Sequence, residues 1–423
     1  ENFWKPLESV VNQFKLRGSW GELGNQNTSN LYPFYEILPV KSNSGNWLVN
    51  GGKTNTADIP SLVSTLLTWE RVRSFNVGFD FGAFSNRLTG SFDYFVRKTV
   101  DMVGPAPQLP LVLGIAPAIV NNADMKSYGF EIELSWRDRI GEVDYGVKFN
   151  LADAQQKVVK YPNTTNAFSD WYAGKMSGEI WGYTSLGIAK TDEEMKEHLA
   201  SLPNGGQNQL GNKWGAGDIM YADINGDGKV DGGKGTLADP GDQRIIGNST
   251  PRYNFGLVLD ASYKGFDVSI FFQGVGKRDY APIVGTNGAV FWGAVNNIWQ
   301  SMAMEEHFDY FRPEGHPMGA NLNGYYPRPD FTSNKNHQVQ TRYLQDASYI
   351  RLKNLQIGYT LPKQWINKLH INRCRVYVSG DNLWTGTSLA SMFDPETLAA
   401  GDWGSGKTYP LSKVISFGLN VNF

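Results

Sequence analysis

Seven stretches of this chain alternate apolar and polar residues with a period of two. Phe75, Val77, Phe79 and Phe81 are separated by Asn76, Gly78 and Asp80. Leu88, Gly90, Phe92, Tyr94 and Val96 interleave with Thr89, Ser91, Asp93, Phe95 and Arg97. The same pattern carries Tyr128 to Trp136, Val143 to Leu151, Tyr253 to Ala261, Phe266 to Phe272 and the closing run Ile415, Phe417, Leu419, Val421, Phe423. Successive side chains of a strand point to opposite faces, so each run has one apolar and one polar face. Soluble sandwiches alternate as well, and length separates the two cases. The strands built around these runs extend over roughly 10–12 residues or more, near the ~9–11 that a tilted strand needs to cross a bilayer and beyond the ~5–6 usual in soluble sheets.

The spacing predicts ten strands near 14–22, 70–82, 87–101, 127–137, 142–157, 252–263, 266–277, 346–361, 371–382 and 412–423. The connections alternate without exception. Short ones fall at 83–86, 138–141, 264–265 and 362–370, and long ones at 23–69, 102–126, 158–251, 278–345 and 383–411. Short turns on one rim and long loops on the other is the pattern of outer-membrane barrels, with the short turns in the periplasm. No apolar run reaches 18 residues, and the nearest, Leu109 to Val120, is broken by Gly114 and Pro117, which excludes a transmembrane helix. Backbone groups in hydrocarbon must pair within the protein, so a chain of this kind spans a membrane only as a closed barrel. The fold class expected is all-β, a transmembrane antiparallel up-and-down β-barrel. There is no signal peptide at Glu1, and Glu1-Asn2-Phe3-Trp4 does not read as a natural start, so residues 1–423 are expected to be the C-terminal part of a larger barrel.

Charge is nearly balanced, 39 Lys plus Arg against 41 Asp plus Glu, which argues against a nucleic-acid partner. The polar face carries both signs, in Asp93, Arg97, Glu131, Glu133, Lys148, Asp260 and Asp267, as suits a wet or plugged lumen. The single cysteine, Cys374, rules out an internal disulfide and reads as a strand residue facing lipid or a neighbour.

The sharpest local motif is Asp223, Asn225, Asp227, Lys229 and Asp231 around Gly226 and Gly228. Oxygen side chains at positions 1, 3, 5 and 9 with glycine at 6 match the front of a Ca²⁺ loop, in which Lys229 offers only its carbonyl. Position 12 is Lys234, so Asp242 or Asp239 is needed to close a structural Ca²⁺ site that orders the 158–251 loop. Thr191-Asp192-Glu193-Glu194 reads as a capping box opening a helix through Leu202, stopped by Pro203 and Gly205. Loop aromatics are frequent, and Trp171, Trp181, Trp292, Trp299, Tyr325 and Tyr326 are candidates to stack on a substrate. The five histidines are scattered, and no Ser/His/Asp arrangement, phosphate-cradling loop or CxxC is present, so no enzyme is expected. Phe423, a terminal aromatic on an alternating strand, has the form of a barrel-assembly signal.

Several segments are similar to the SusC-like (RagA/SusC) family of TonB-dependent transporters from Bacteroidetes-type bacteria. They are Leu16-Arg17-Gly18-Ser19-Trp20-Gly21, Trp69-Glu70, Tyr128-Gly129-Phe130-Glu131-Ile132-Glu133-Leu134, Asp223-Ile224-Asn225-Gly226-Asp227-Gly228 and Ile246-Gly247-Asn248-Ser249-Thr250-Pro251. Tyr349-Ile350-Arg351-Leu352-Lys353-Asn354-Leu355, Gly358-Tyr359-Thr360-Leu361-Pro362, Arg375-Val376-Tyr377 and Asp381-Asn382-Leu383 follow in family order. The resemblance implies a plugged barrel of roughly 22 strands in the bacterial outer membrane, of which these ten are the last. It implies a SusD-like lipoprotein lid, dimers of transporter–lipoprotein pairs, and energy from the TonB complex through a missing N-terminal region. The expected function is active uptake of oligosaccharides or peptides, with 158–251 and 278–345 as extracellular loops. The alternative is a surface glycan-binding or adhesin β protein without transport.

Overall fold

The alternating runs form ten consecutive antiparallel strands of one sheet, each paired with its neighbours in sequence. They are β1 (Val11–Asn25), β2 (Glu70–Ala83), β3 (Leu88–Gly104), β4 (Val120–Ile140), β5 (Val143–Lys160), β6 (Arg252–Tyr263), β7 (Phe266–Lys277), β8 (Tyr349–Thr360), β9 (Arg373–Thr387) and β10 (Val414–Asn422). This computed structural model describes the whole chain except residues 1–5, 26–34, 61, 65–66, 107–109, 111, 113, 116, 283–288, 294–303, 331–333, 368–369 and 399–407. The strands run further toward the long loops than apolar alternation indicates. β4 starts at Val120 rather than near 127, because its ladders with β3 and β5 continue past Tyr128, where the regular apolar alternation begins. Ladder hydrogen bonds do not require lipid, so the wall continues beyond the hydrocarbon.

Register shows why this wall suits a bilayer. Phe14, Phe81, Gly90, Leu134, Phe149, Leu257, Phe272, Leu352 and Trp384 face one another in a single row across nine strands. One residue along, the row reads Lys15, Asp80, Ser91, Glu133, Asn150, Gly256, Gln273, Arg351 and Thr385. One face is therefore apolar over its full width and the other polar. The apolar face is not packed on a second sheet: Leu16 is 73% exposed and Phe417 85%. Such a surface is an aggregation hazard in water and is the lipid face of a membrane wall. Cys374 sits on this face opposite Val421.

Two local devices hold the phase. At β8 the register slips between Leu352 and Asn354, which keeps both Leu352 and Leu355 on the apolar face and both Arg351 and Lys353 on the polar one. Between β6 and β7, Lys264 and Gly265 both take positive φ, 44° and 91°, as a two-residue hairpin turn of matching twist requires. Among the described residues β1 and β10 each pair on one side only, so the ten strands form an open wall. Open edges cannot stand in hydrocarbon, so each edge needs a strand partner in the membrane.

The buried core does not lie in the wall. Tyr183, Ile219, Tyr221, Val230, Val290, Phe291, Trp292, Tyr326, Tyr343, Leu389 and Phe393 pack together, and all come from the connections 161–251, 278–348 and 388–413. These three loops form a folded dome at the long-loop rim.

Candidate functional site: the loop dome and the lumenal wall

Short ladders give the dome its frame. Glu179–Gly182 pairs with Arg244–Asn248, Ser185–Ile188 with Ile219–Tyr221, and Asp279–Tyr280 with Gln345–Asp346. Helix α1 (Asp192–Ala200) starts where its cap residues predict, with Thr191 Oγ1 accepting from the Glu194 amide at 3.1 Å. The Glu194 carboxylate reaches back to the Lys190 amide, one residue before the cap. Met195 anchors the helix in the interior.

A buried carboxylate joins two of the loops. Asp218 accepts from Lys335 Nζ at 2.8 Å, from Arg328 Nε and Nη2 at 2.8 and 2.7 Å, from Asn336 Nδ2 at 2.9 Å and from the Gly215 amide at 2.9 Å. Asp218 and Lys335 are both fully buried, and their pairing, together with Arg328 on the same carboxylate and Asp330 3.7 Å from Lys335, compensates for lost hydration. Asn336 also accepts from the Ile219 amide, and Tyr221 donates to the Lys335 carbonyl at 2.6 Å. Burial raises the Tyr221 phenol well above its ordinary pKa, so it stays protonated, and its oxygen also accepts from Gln340 Nε2 at 3.2 Å.

A second ionic clamp ties the dome to the lumen. Asp394 and Glu396, on the last long loop, accept from Arg351 at 2.6 and 2.7 Å, and Glu396 also accepts from Lys353 at 2.8 Å. Arg351 belongs to the polar row of the wall, so the loop bends inward over the mouth instead of standing away from it. Arg278 reinforces this by donating to the Leu398 carbonyl at 2.7 Å. Below the clamp the lumenal charges pair across strands. Arg17 bridges Asp80 and Asp93, and Arg375 holds Asp267 and Gln356. Sequence reading placed Asp93 and Asp267 on this face but missed both clamps. Their partners lie 43 to 118 residues apart, and no local pattern links them.

The candidate aromatics separate into two groups. Trp292 is 0% exposed and stacks edge-on against Phe291 and Tyr343, and Tyr326 lies in the same cluster. These two rings are fully used in packing, which corrects the expectation that they offer a face to substrate. Tyr325 is half-buried, and Trp181 stacks on Phe168 with centroids 4.6 Å apart. Trp171 is 39% exposed, with Lys175 5.7 Å from its ring. Beside it, burial and the Glu179 carboxylate push the Tyr172 phenol up to about 12. Trp299 lies outside the described residues. Phe423 follows β10, exposed on the lipid side.

The acidic loop closes as a set of side-chain-to-backbone turns. Asp223 accepts from the Gly226 and Gly228 amides, Asn225 from Asp227, and Asp227 from Lys229. Gly226 and Gly228 have φ of 76° and 81°, the left-handed values this turn needs. Asp242 does return to the loop, accepting from the Ile224 and Asp231 amides at 2.7 and 2.8 Å, and its burial raises its carboxyl pKa. The Lys229 ammonium lies on Asp231 and holds that carboxyl below its usual range. Among the described residues no three His, Cys, Asp or Glu side chains converge as metal ligands. His337 is a surprise of the fold. It is 1% exposed against Trp292, neither ring nitrogen has a hydrogen-bond partner among the described residues, and burial depresses its pKa to about 4.

A wide wall with a lipid face, a charged lumen and inward-folded outer loops defines an outer-membrane β-barrel receptor. Comparison with known proteins specifies which kind. Residues 3–383 match the family described as TonB dependent receptor-like, beta-barrel, and the chain belongs to that family. TonB-dependent receptor P3 of Formosa agariphila is 28% identical over 453 residues, spanning 100% of this chain and 40% of the relative. TonB-dependent receptor SusC of Bacteroides thetaiotaomicron is 21% identical over 439 residues, with 100% and 39% spanned. The solved RagAB peptide transporter superposes with a TM-score of 0.69 at 23% identity, over 98% of this chain and 41% of that one. The chain thus spans about 40% of the length of the curated relatives it matches.

Proposed function

We propose that the protein to which this wall belongs is a TonB-dependent outer-membrane importer of oligosaccharides or peptides, working with a SusD-like lipoprotein lid and no enzymatic step. The observation that carries the reading is the inward clamp of Asp394 and Glu396 on Arg351 and Lys353. It places a folded dome over the outer mouth of a polar lumen, where a ligand too large for an open pore would be held before passage. Trp171 is the candidate aromatic with the freest face for such a ligand. The relatives' names support the mechanism, through TonB-dependent receptor SusC, and the peptide class, through the RagAB peptide transporter, while the oligosaccharide class rests on the SusC-like resemblance of the motifs. Deleting the gene should abolish uptake of one oligosaccharide or peptide nutrient, and restoring the intact protein should rescue it only when the TonB complex is functional. Unchanged uptake of every such nutrient would refute the proposal.

We also propose that Ca²⁺ binds the 223–231 loop as a structural ion. The donors Asp223, Asn225, Asp227, Asp231 and Asp242 are all oxygen, the chemistry a hard cation takes, and entry of the ion would displace the Lys229 ammonium from Asp231. Terbium luminescence sensitised by nearby aromatics should titrate in the wild type and be lost in Asp223→Ala. Equal signals in the two proteins would remove the site. The exposed Phe423 side chain supports the same residue as the mark read during barrel assembly.

A further inference from the structure

The lipid face of the wall ends, toward the long-loop rim, in a line of positive charge. On β2, β3 and β4 the next same-face residue toward the rim from the aromatic and Val row is basic in each case: Arg73 beyond Phe75, Lys98 beyond Val96 (with Val100 beyond it), and Lys126 beyond Tyr128. The ladders align them. Glu22 lies opposite Arg73, Arg73 opposite Lys98, Lys98 opposite Lys126, and Lys126 opposite Lys157 of β5. The adjacent row on the same face reads Trp20, Phe75, Val96, Tyr128 and Gln155, an aromatic belt at the edge of the apolar band. The basic row therefore stands where hydrocarbon gives way to the headgroups of the outer leaflet, and it faces away from the lumen.

Only Arg73 in this row has an ion pair among the described residues. Glu22 pairs with Arg73 at 2.6 Å. Lys98, Lys126 and Lys157 have no ion pair among the described residues, and Lys126 lies 5.1 Å from the Tyr128 ring. Strands are spaced about 4.8 Å apart, and like charges directly opposite one another on a ladder repel. An anion between three lysines in line relieves that repulsion, and their long stems allow neighbouring ammonium groups to converge on one phosphate.

We propose that Lys98, Lys126 and Lys157, flanked by Arg73, form a binding site on the outer surface of the barrel for the phosphate groups of an outer-leaflet lipid. The site would fix the wall's depth and rotation in the membrane and is separate from the import path. The test uses full-length protein purified in mild detergent, with lipid A, dephosphorylated lipid A and inorganic phosphate as probes in native mass spectrometry. Lipid A should bind the wild type, and Lys98→Gln/Lys126→Gln/Lys157→Gln should bind it roughly a hundredfold more weakly, about fivefold for each lysine. The triple Lys→Arg variant should keep binding. Dephosphorylated lipid A should bind the wild type no better than the triple Gln variant binds lipid A. Gel mobility before and after heating reports whether each variant is folded, and single Lys98→Gln and Lys157→Gln variants replace the triple if it is not. Equal binding of lipid A by wild type and Gln variants overturns the proposal, as does equal binding of the dephosphorylated lipid. Complete displacement of lipid A by millimolar inorganic phosphate would also overturn it, by showing that the site takes a free ion.

Discussion

Replacing Asp218 by Ala should open the dome while leaving the wall intact. Asp218 is the shared acceptor of Lys335, Arg328 and Asn336, and the Lys335 side chain is only 1% exposed. Removing one partner of a buried pair leaves an uncompensated charge, at a cost of about 3–5 kcal/mol. Lys335 keeps the Asn212 and Lys213 carbonyls at 3.3 and 3.0 Å and the Asp330 carboxylate at 3.7 Å, and Arg328 has solvent access, so the lower end of that range applies. About 3 kcal/mol raises the population of the opened dome roughly a hundredfold. Hydrogen exchange on the full-length protein reads this directly. The Ile219 and Tyr221 amides, bonded to Asn336 and Gln207, should lose about two orders of magnitude of protection. Amides in the β3–β4 and β4–β5 ladders should not change, because the dome packs on itself outside the sheet. Asp218→Asn/Lys335→Met should recover most of the loss, since a well-packed apolar group carries no desolvation debt. Unchanged protection at Ile219, or equal loss in the strands, would refute the reasoning.

Three further outcomes are expected. Phe149→Arg, in the middle of the apolar row, should lower unfolding stability in lipid vesicles by about 2–4 kcal/mol, while Asn150→Arg on the lumenal row should change it little; similar losses for both would mean the faces are misassigned. His337 has a folded pKa depressed by burial to about 4, against 6.5 for a free imidazole. The opened dome thus binds a proton that the closed one refuses, and the closed dome should lose up to roughly 3 kcal/mol as pH falls from 6.5 to 4, levelling off below; exchange rates of dome amides measured across that range should become flat in His337→Gln. Removing Phe423 should reduce the amount of folded protein reaching the outer membrane without changing the unfolding midpoint of what does arrive, as read by heat-dependent gel mobility and denaturant titration.

Much of the wall was legible in the residues alone. All ten strands, their order and the alternation of short and long connections follow from period-two patterning, because a bilayer enforces one apolar and one polar face on every strand. What was not legible had a common cause. The dome is built from irregular segments whose side chains find partners far away in sequence, so an aromatic such as Trp292 reads the same whether it is core or contact surface. Asp218 with Lys335, and Asp394 with Arg351, are ordinary charges until the loops bring them together. The basic line of Lys98, Lys126 and Lys157 is likewise three unrelated lysines in the sequence.

The chain by itself determined the lipid-facing and lumen-facing sides of the regular strand runs, because side-chain direction in an extended backbone follows parity; the slip that sets Leu352 and Leu355 on one face came from the structure. Only the tertiary structure decided which of those residues stand side by side across strands, and which loop carboxylates meet which lumenal cations, because register and loop packing are set by contacts between residues that have no local relation.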